Sequence, residues 1–161
     1  TERQQMIALD RFDLKILHDM QRDARLTLGQ LAEGVSLSVS QCSRRLARLE
    51  REGVIQGYSL RLSAEALGLG VTAFIFLSMD KRLMGDPQGV VASLLERDEV
   101  IECHTVTGQH DFILKVCVES LGALSAFLAS VVSPMEGLHD IATQVAMDTL
   151  KTNGPLSTQR A

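Results

Sequence analysis

The sequence contains no apolar run near the roughly 18 residues that a membrane-crossing helix needs, so no membrane partner is expected. Thr1-Glu2-Arg3-Gln4-Gln5 lacks the apolar stretch of a secretory signal, which makes the cytoplasm the expected location. Cysteine is scarce. Cys42, Cys103 and Cys117 are an odd number at spacings unlike any zinc pattern, and each sits in an apolar or patterned stretch, so they read as small buried thiols. Cys103-His104 and His110-Asp111 put reactive types together. Neighbours on a strand point to opposite faces, which separates Cys103 from His104. No nucleophile, metal set or phosphate-binding loop accompanies His110-Asp111, so neither catalysis nor a cofactor is expected. With 45% apolar and 22% charged residues, the 161-residue chain has the makeup of an ordinary folded protein of one medium domain or two small, closely joined ones.

The net charge of −4 is unevenly spread. Residues 1–60 hold nine Lys/Arg against eight Asp/Glu, the remainder seven against twelve. Arg44, Arg45, Arg48 and Arg51 cluster, with Glu50 and Glu52 as the nearby acids. A local basic stripe on an acidic protein suits a polyanion bound to one face only.

The first third carries three helix starts, each with its own cap. Asp10 precedes a run in which Phe12, Ile16, Leu17 and Met20 recur at helical spacing, with Asp13 in the first turn. Thr27 with Gln30 makes a capping box before Leu28, Leu31 and Ala32, and Gly34 is expected to end that helix. Ser38 with Gln41 makes another and opens the segment from Val39 to Glu52, closed by Gly53. Two short helices joined through Gly34-Val35-Ser36-Leu37 match a helix-turn-helix at about residues 28–47. In the third helix Cys42, Leu46 and Leu49 face inward. Ser40, Arg44, Ala47 and Arg51 lie nearly opposite, with Ser43 and Arg48 on the flanks. Such a face fits the major groove: small residues permit close approach, Arg can fork onto guanine or phosphate, and the helix N-terminus at Ser38 to Gln41 can meet a phosphate. Arg44, Arg48 and Arg51 are the expected phosphate or guanine anchors, with Ser40, Gln41 and Ser43 nearer base edges. The alternative is a solvated arginine face with Ser38 and Gln41 serving only as caps.

Val54 to Leu62 alternates and is β-rich, and reads as a strand leaving the reading unit. A turn or short helix over residues 63–69 leads to a hinge, so the domains are expected to be residues 1–69 and 70–161. The second part gives a strand from Val71 to Ser78, a helix from Pro87 to Arg97, strands from Val100 to Thr107 and Phe112 to Val118, a helix from Leu121 to Val132 and a strand from Leu138 to Leu150. The order β-α-β-β-α-β is the split βαβ, ferredoxin-like arrangement, giving an α+β fold overall. Two helices cover one face of four strands, yet Phe74-Ile75-Phe76-Leu77 and Phe112-Ile113-Leu114 are apolar on both faces. The far face therefore needs a cover, and a second copy of the chain is the expected one. The loop Thr107-Gly108-Gln109-His110-Asp111 reads first as a hairpin turn. As a site, Gly108 would allow close approach and Asp111 would offer a carboxylate to an α-ammonium group.

Several fragments together resemble the Lrp/AsnC, or feast/famine, family of regulators. They are Leu9-Asp10-Arg11-Phe12-Asp13 with Ile16-Leu17; Leu37-Ser38-Val39-Ser40, Arg45-Leu46, Leu49-Glu50 and Gly53-Val54-Ile55-Gln56-Gly57-Tyr58; and Glu102-Cys103-His104, Val106-Thr107-Gly108 and Asp111-Phe112. The resemblance implies a winged helix-turn-helix reader of double-stranded DNA joined to a ferredoxin-like sensor. It also implies homodimers that often assemble into octamers, and amino-acid effectors held between dimers. By position it places effector contacts on Thr105, Thr107, Gly108, Gln109, Asp111, Leu121, Gln144, Val145 and Ala146. Gln109 stands where an acidic residue is frequent, Gln144 where an aromatic is frequent, and Val39 where Pro commonly follows the Ser cap. The expected function is sequence-specific DNA binding and transcription regulation modulated by a small molecule. A ligand-binding module without DNA binding is the rival, since ferredoxin-like folds host many functions.

Overall fold

The computed structural model describes residues 7–158; Thr1–Gln5, read above for the lack of a secretory signal, lie outside them. The chain forms two compact units. One comprises the residues up to Leu60 together with those from Lys151 on, and the other is Arg61–Leu150.

In the first unit, α1 (Arg11–Arg22), α2 (Leu28–Val35) and α3 (Val39–Arg51) enclose a core of Ile16, Leu31, Ala32, Val35, Cys42 and Leu49. The caps work in both directions. Ser38 Oγ accepts from the Gln41 amide at 3.2 Å while Gln41 Oε1 accepts from the Ser38 amide at 3.1 Å, and Thr27 with Gln30 does the same. Asp10 and Asp13 form a third such box, with an Asp where the usual partner is Glu or Gln. Gly34 does not end α2 as expected. The helix runs one residue further, and Ser36 takes the left-handed turn with φ 57°. A Cβ on Gly34 would lie 3.3 Å from an Asp19 carboxylate oxygen, so this glycine serves the approach of α1 to α2.

No strand forms over Val54–Leu62, contrary to the expectation. The amides of Val54 and Ile55 bond the Leu49 carbonyl and finish α3, and both side chains pack on the reader core. Tyr58 donates to Glu50 Oε1 at 2.8 Å, and loss of solvent followed by that carboxylate pushes its hydroxyl up to about 12. Leu60 and Leu62 stay exposed. Alternation makes a strand only beside an edge, and among the described residues no strand lies paired with this segment. The last stretch of chain returns to α1. The Gln21 side-chain amide brackets the Leu156 peptide, accepting from its N–H at 2.7 Å and donating to its carbonyl at 3.2 Å.

The second unit is an antiparallel sheet in the order β2-β3-β1-β4, built from β1 (Val71–Met79), β2 (Val100–Thr105), β3 (Phe112–Val118) and β4 (Leu138–Val145). The expected helix over residues 87–97 breaks at Val91 into α4 (Pro87–Val90) and α5 (Ala92–Leu95), where Gly89 and consecutive β-branched valines are poor helix formers. The other is α6 (Leu121–Phe127), continued by a wider π turn over Leu128–Val132. Ala73, Ile75, Leu77, Leu114 and Val116 are buried against Leu94, Leu124 and Phe127 of these helices. Register places Phe74, Phe76, Ile113 and Ala142 on the opposite face, where they are half-buried. Lys115, salt-bridged to Glu102 at 3.0 Å, and Gln144 border them.

Candidate nucleic-acid interface and ligand site

The side of α3 away from the core carries Ser40, Ser43, Arg44, Ala47 and Arg51, all exposed, with Ser38 and Gln41 exposed at its start. Arg44 has no ion-pair partner among the described residues. Arg51 is 72% exposed, with Glu52 4.0 Å away. Arg48 departs from the expectation that it would join this outward set. Its guanidinium turns back to α1, where Nη2 meets Asp13 Oδ2 at 2.5 Å. Asp13 is 1% exposed, and its other oxygen takes Arg45 at 2.7 Å. Arg45 also reaches Asp10 at 2.8 Å and lies over the Phe12 ring at 5.4 Å. Asp13, and then Asp10, hold the Arg45 proton more firmly than usual. Thus two of the four α3 arginines face water and two are bound to α1. The Asp13 clamp was missed because its partners lie 32 and 35 positions along the chain. The only local hint is the pair of i, i+3 repeats, Asp10 with Asp13 and Arg45 with Arg48.

In the sheet unit, Asp111 staples the β2–β3 hairpin to the end of β1. Its Oδ2 accepts from the Met79 amide at 2.8 Å, its own amide donates to the Leu77 carbonyl at 2.9 Å, and its carbonyl accepts from Val106 N at 2.9 Å. His110 Nδ1 sits 3.1 Å from Ser78 Oγ, with its ring 5.4 Å from Phe76. Gly108 has φ +123° and open space around it, so backbone conformation explains it here. Thr105, Thr107, Gly108 and Gln109 are exposed near the same end of the sheet.

Leu121, Gln144, Val145 and Ala146 lie at the other end. Val145 pairs with Ala73, the Ala146 amide donates to the Thr72 carbonyl, and Leu121 starts α6 just after β3, whose Val118 pairs with Val71. From Ala73 to Leu77, where Asp111 is anchored, four residues of strand span about 13 Å. One chain therefore does not bring the nine residues expected to hold an effector into a single pocket. A shallow cavity of about 400 Å³ beneath α6, lined by Leu69, Arg97, Glu99, Cys117 and Phe127 among others, includes none of them. Cys103 packs toward the core while His104 projects from the opposite face beside Glu102.

Comparison with known proteins agrees with both halves. Residues 9–56 match a winged helix-turn-helix DNA-binding model, and residues 72–156 match the Lrp/AsnC ligand-binding domain. The chain belongs to the Lrp/AsnC family. It is 32% identical to the leucine-responsive regulatory protein of Salmonella typhimurium over 92% of this chain and 90% of that protein. The crystal structure of the Neisseria meningitidis transcriptional regulator NMB0573 with L-Met superposes with a TM-score of 0.86 at 34% identity, covering 93% and 97% of the two chains. An AsnC family transcriptional regulator from Agrobacterium tumefaciens gives 0.86 at 29%, covering 92% and 97%. As a family member this chain is a DNA-binding transcriptional regulator with a ligand-binding domain, α+β in class, with three reader helices and a four-stranded sheet. Among the described residues no helix is long and apolar enough to cross a membrane.

Proposed function

We propose that the chain acts in the cytoplasm as a homodimer, binding double-stranded DNA sequence-specifically through α3 and adjusting that binding to an amino acid, without catalysis or a cofactor. The observation that carries this reading is the outward face of α3, where Arg44 stands exposed with no acid paired to it among the described residues, flanked by Ser40, Ser43 and Arg51. Arg44 and Arg51 anchor phosphates or guanines; Ser40, Gln41 and Ser43 lie nearer base edges; Ser38 presents the helix N-terminus to a phosphate. Arg48 is left out of this set because Asp13 holds it. A second copy covers Phe74, Phe76 and Ile113, and two-fold symmetry sets the paired α3 helices on half-sites about one helical turn apart, or a multiple.

The effector residues form two groups at opposite ends of one sheet, so a pocket using both groups draws them from different copies. This supports an amino acid bound between dimers, with Thr105, Thr107, Gly108, Gln109 and Asp111 from one copy and Leu121, Gln144, Val145 and Ala146 from another, in assemblies up to octamers. The similar N. meningitidis regulator was solved with L-Met, which supports an amino acid as the ligand class. The test is selection of bound fragments from random DNA, with and without each common amino acid, followed by a salt-controlled shift assay. Arg44→Ala should lower affinity for the selected DNA by roughly 1–3 kcal/mol if it contacts a base. Unchanged affinity removes Arg44 from the interface, and no binding at low salt removes the DNA-binding reading itself.

A further inference from the structure

The four arginines of α3 have different fates, and helix geometry explains that of Arg45, about 60° around the helix from the inward Cys42, more readily than that of Arg48. At about 100° per residue, Arg48 sits only about 40° around the helix from Arg44, on the flank of the outward face. Its side chain nevertheless folds back onto Asp13, and this arrangement leaves Arg48 Nε buried without a hydrogen-bond partner. Its own i+4 acid, Glu52, stays at 3.9 Å from that nitrogen. A buried donor with no acceptor is costly, so the attraction of the Asp13 carboxylate outweighs the loss. Asp13 is sealed between α1 and α3 with both oxygens engaged, one by Arg45 and the other by Arg48 and the Asp10 amide. Asp10 and the Phe12 ring add to the hold on Arg45.

We propose that Asp13 is a positioning residue that sets DNA specificity: by tethering Arg45 and Arg48 to α1 it withholds them from the phosphates, leaving recognition to Arg44, Arg51 and the small polar residues. The inference rests on the DNA-binding reading of α3. Phosphate contacts carry affinity but no sequence information, and each cation that neutralises a phosphate adds about 0.9 to the slope of log K against log salt. A reader with all four arginines loose would grip any duplex. With two of them tied down, a larger share of its binding depends on the bases.

The experiment compares the full-length parent with Asp13→Asn on two probes: a duplex the parent selects from random DNA, and a random-sequence duplex of equal length. Circular dichroism and a thermal melt check folding. Released arginines steepen the salt slope of Asp13→Asn by up to about 1.8, strengthen binding to the random duplex, and cut the preference for the selected duplex at least about tenfold. A folded Asp13→Asn with the parent's slope and preference overturns the proposal. Arg48→Gln supplies an independent arm if the Asn variant does not fold. Its slope stays at the parent value when Arg48 touches no phosphate, and a drop of about 0.9 places Arg48 on the DNA and overturns the tether. A parent that binds neither probe at low salt defeats the DNA-binding reading, and this inference with it.

Discussion

The reader and the sheet unit achieve burial in different ways. The reader's small core is enclosed by three helices of the same chain, each with a reciprocal cap, and Asp13, the one buried charge among its described residues, is matched by two arginines. The sheet unit has the larger core but encloses it on one face only, leaving Phe74, Phe76 and Ile113 half-buried on the other. One unit is finished by its own chain. The other has a surface that makes sense once something lies against it, and its expected effector residues are likewise split between two ends.

The sharpest challenge to this contrast is to damage the covered face. Leu114→Ala should destabilise the sheet unit by about 2–5 kcal/mol, read as a lowered midpoint in denaturant, because it leaves a cavity at a fully buried position. Phe76→Glu probes the uncovered face. If a second copy lies there, the variant should sediment as a monomer and lose at least about tenfold in affinity for a two-half-site DNA, because the second half-site is no longer tethered. Unchanged sedimentation would mean that the far face is not the contact.

Ser38→Ala tests the reader's self-sufficiency, with an expected cost of about 1 kcal/mol from loss of the α3 cap. The smallest effect concerns pH. The Asp13 amide, with help from Arg45, holds the Asp10 carboxyl below its ordinary value of 3.8. A depressed folded value means that Asp10 stabilises the reader fully above the unfolded value, and that this share is lost as pH falls through the folded one. Melting followed from neutral pH downward should therefore show an acid-side fall that is shallower in Asp10→Asn.

The sequence showed most of the architecture because the signals were local. Caps at Asp10, Thr27 and Ser38, and alternation through Val71–Met79 and Phe112–Val118, do not depend on distant partners. Where a partner decides, the pattern misled. Val54–Leu62 alternates like a strand but has no edge to join, and Gly34 looks like a stop although its space is taken up by α1. The outward face of α3 was legible from periodicity except at Arg48. A helical wheel records where a Cα points, and a long side chain can bend across it toward a charge that the wheel does not contain.

The clip between Gln21 and Leu156 gives the reader a discontinuous makeup, since its structure draws on both ends of the sequence. Cutting the gene after residue 60 would discard a piece of the unit it meant to isolate. A fragment intended to preserve the reader is better made as a fusion of the first sixty residues to the last eleven through a flexible bridge, and any reporter attached after Leu156 would sit in the neighbourhood of the first helix.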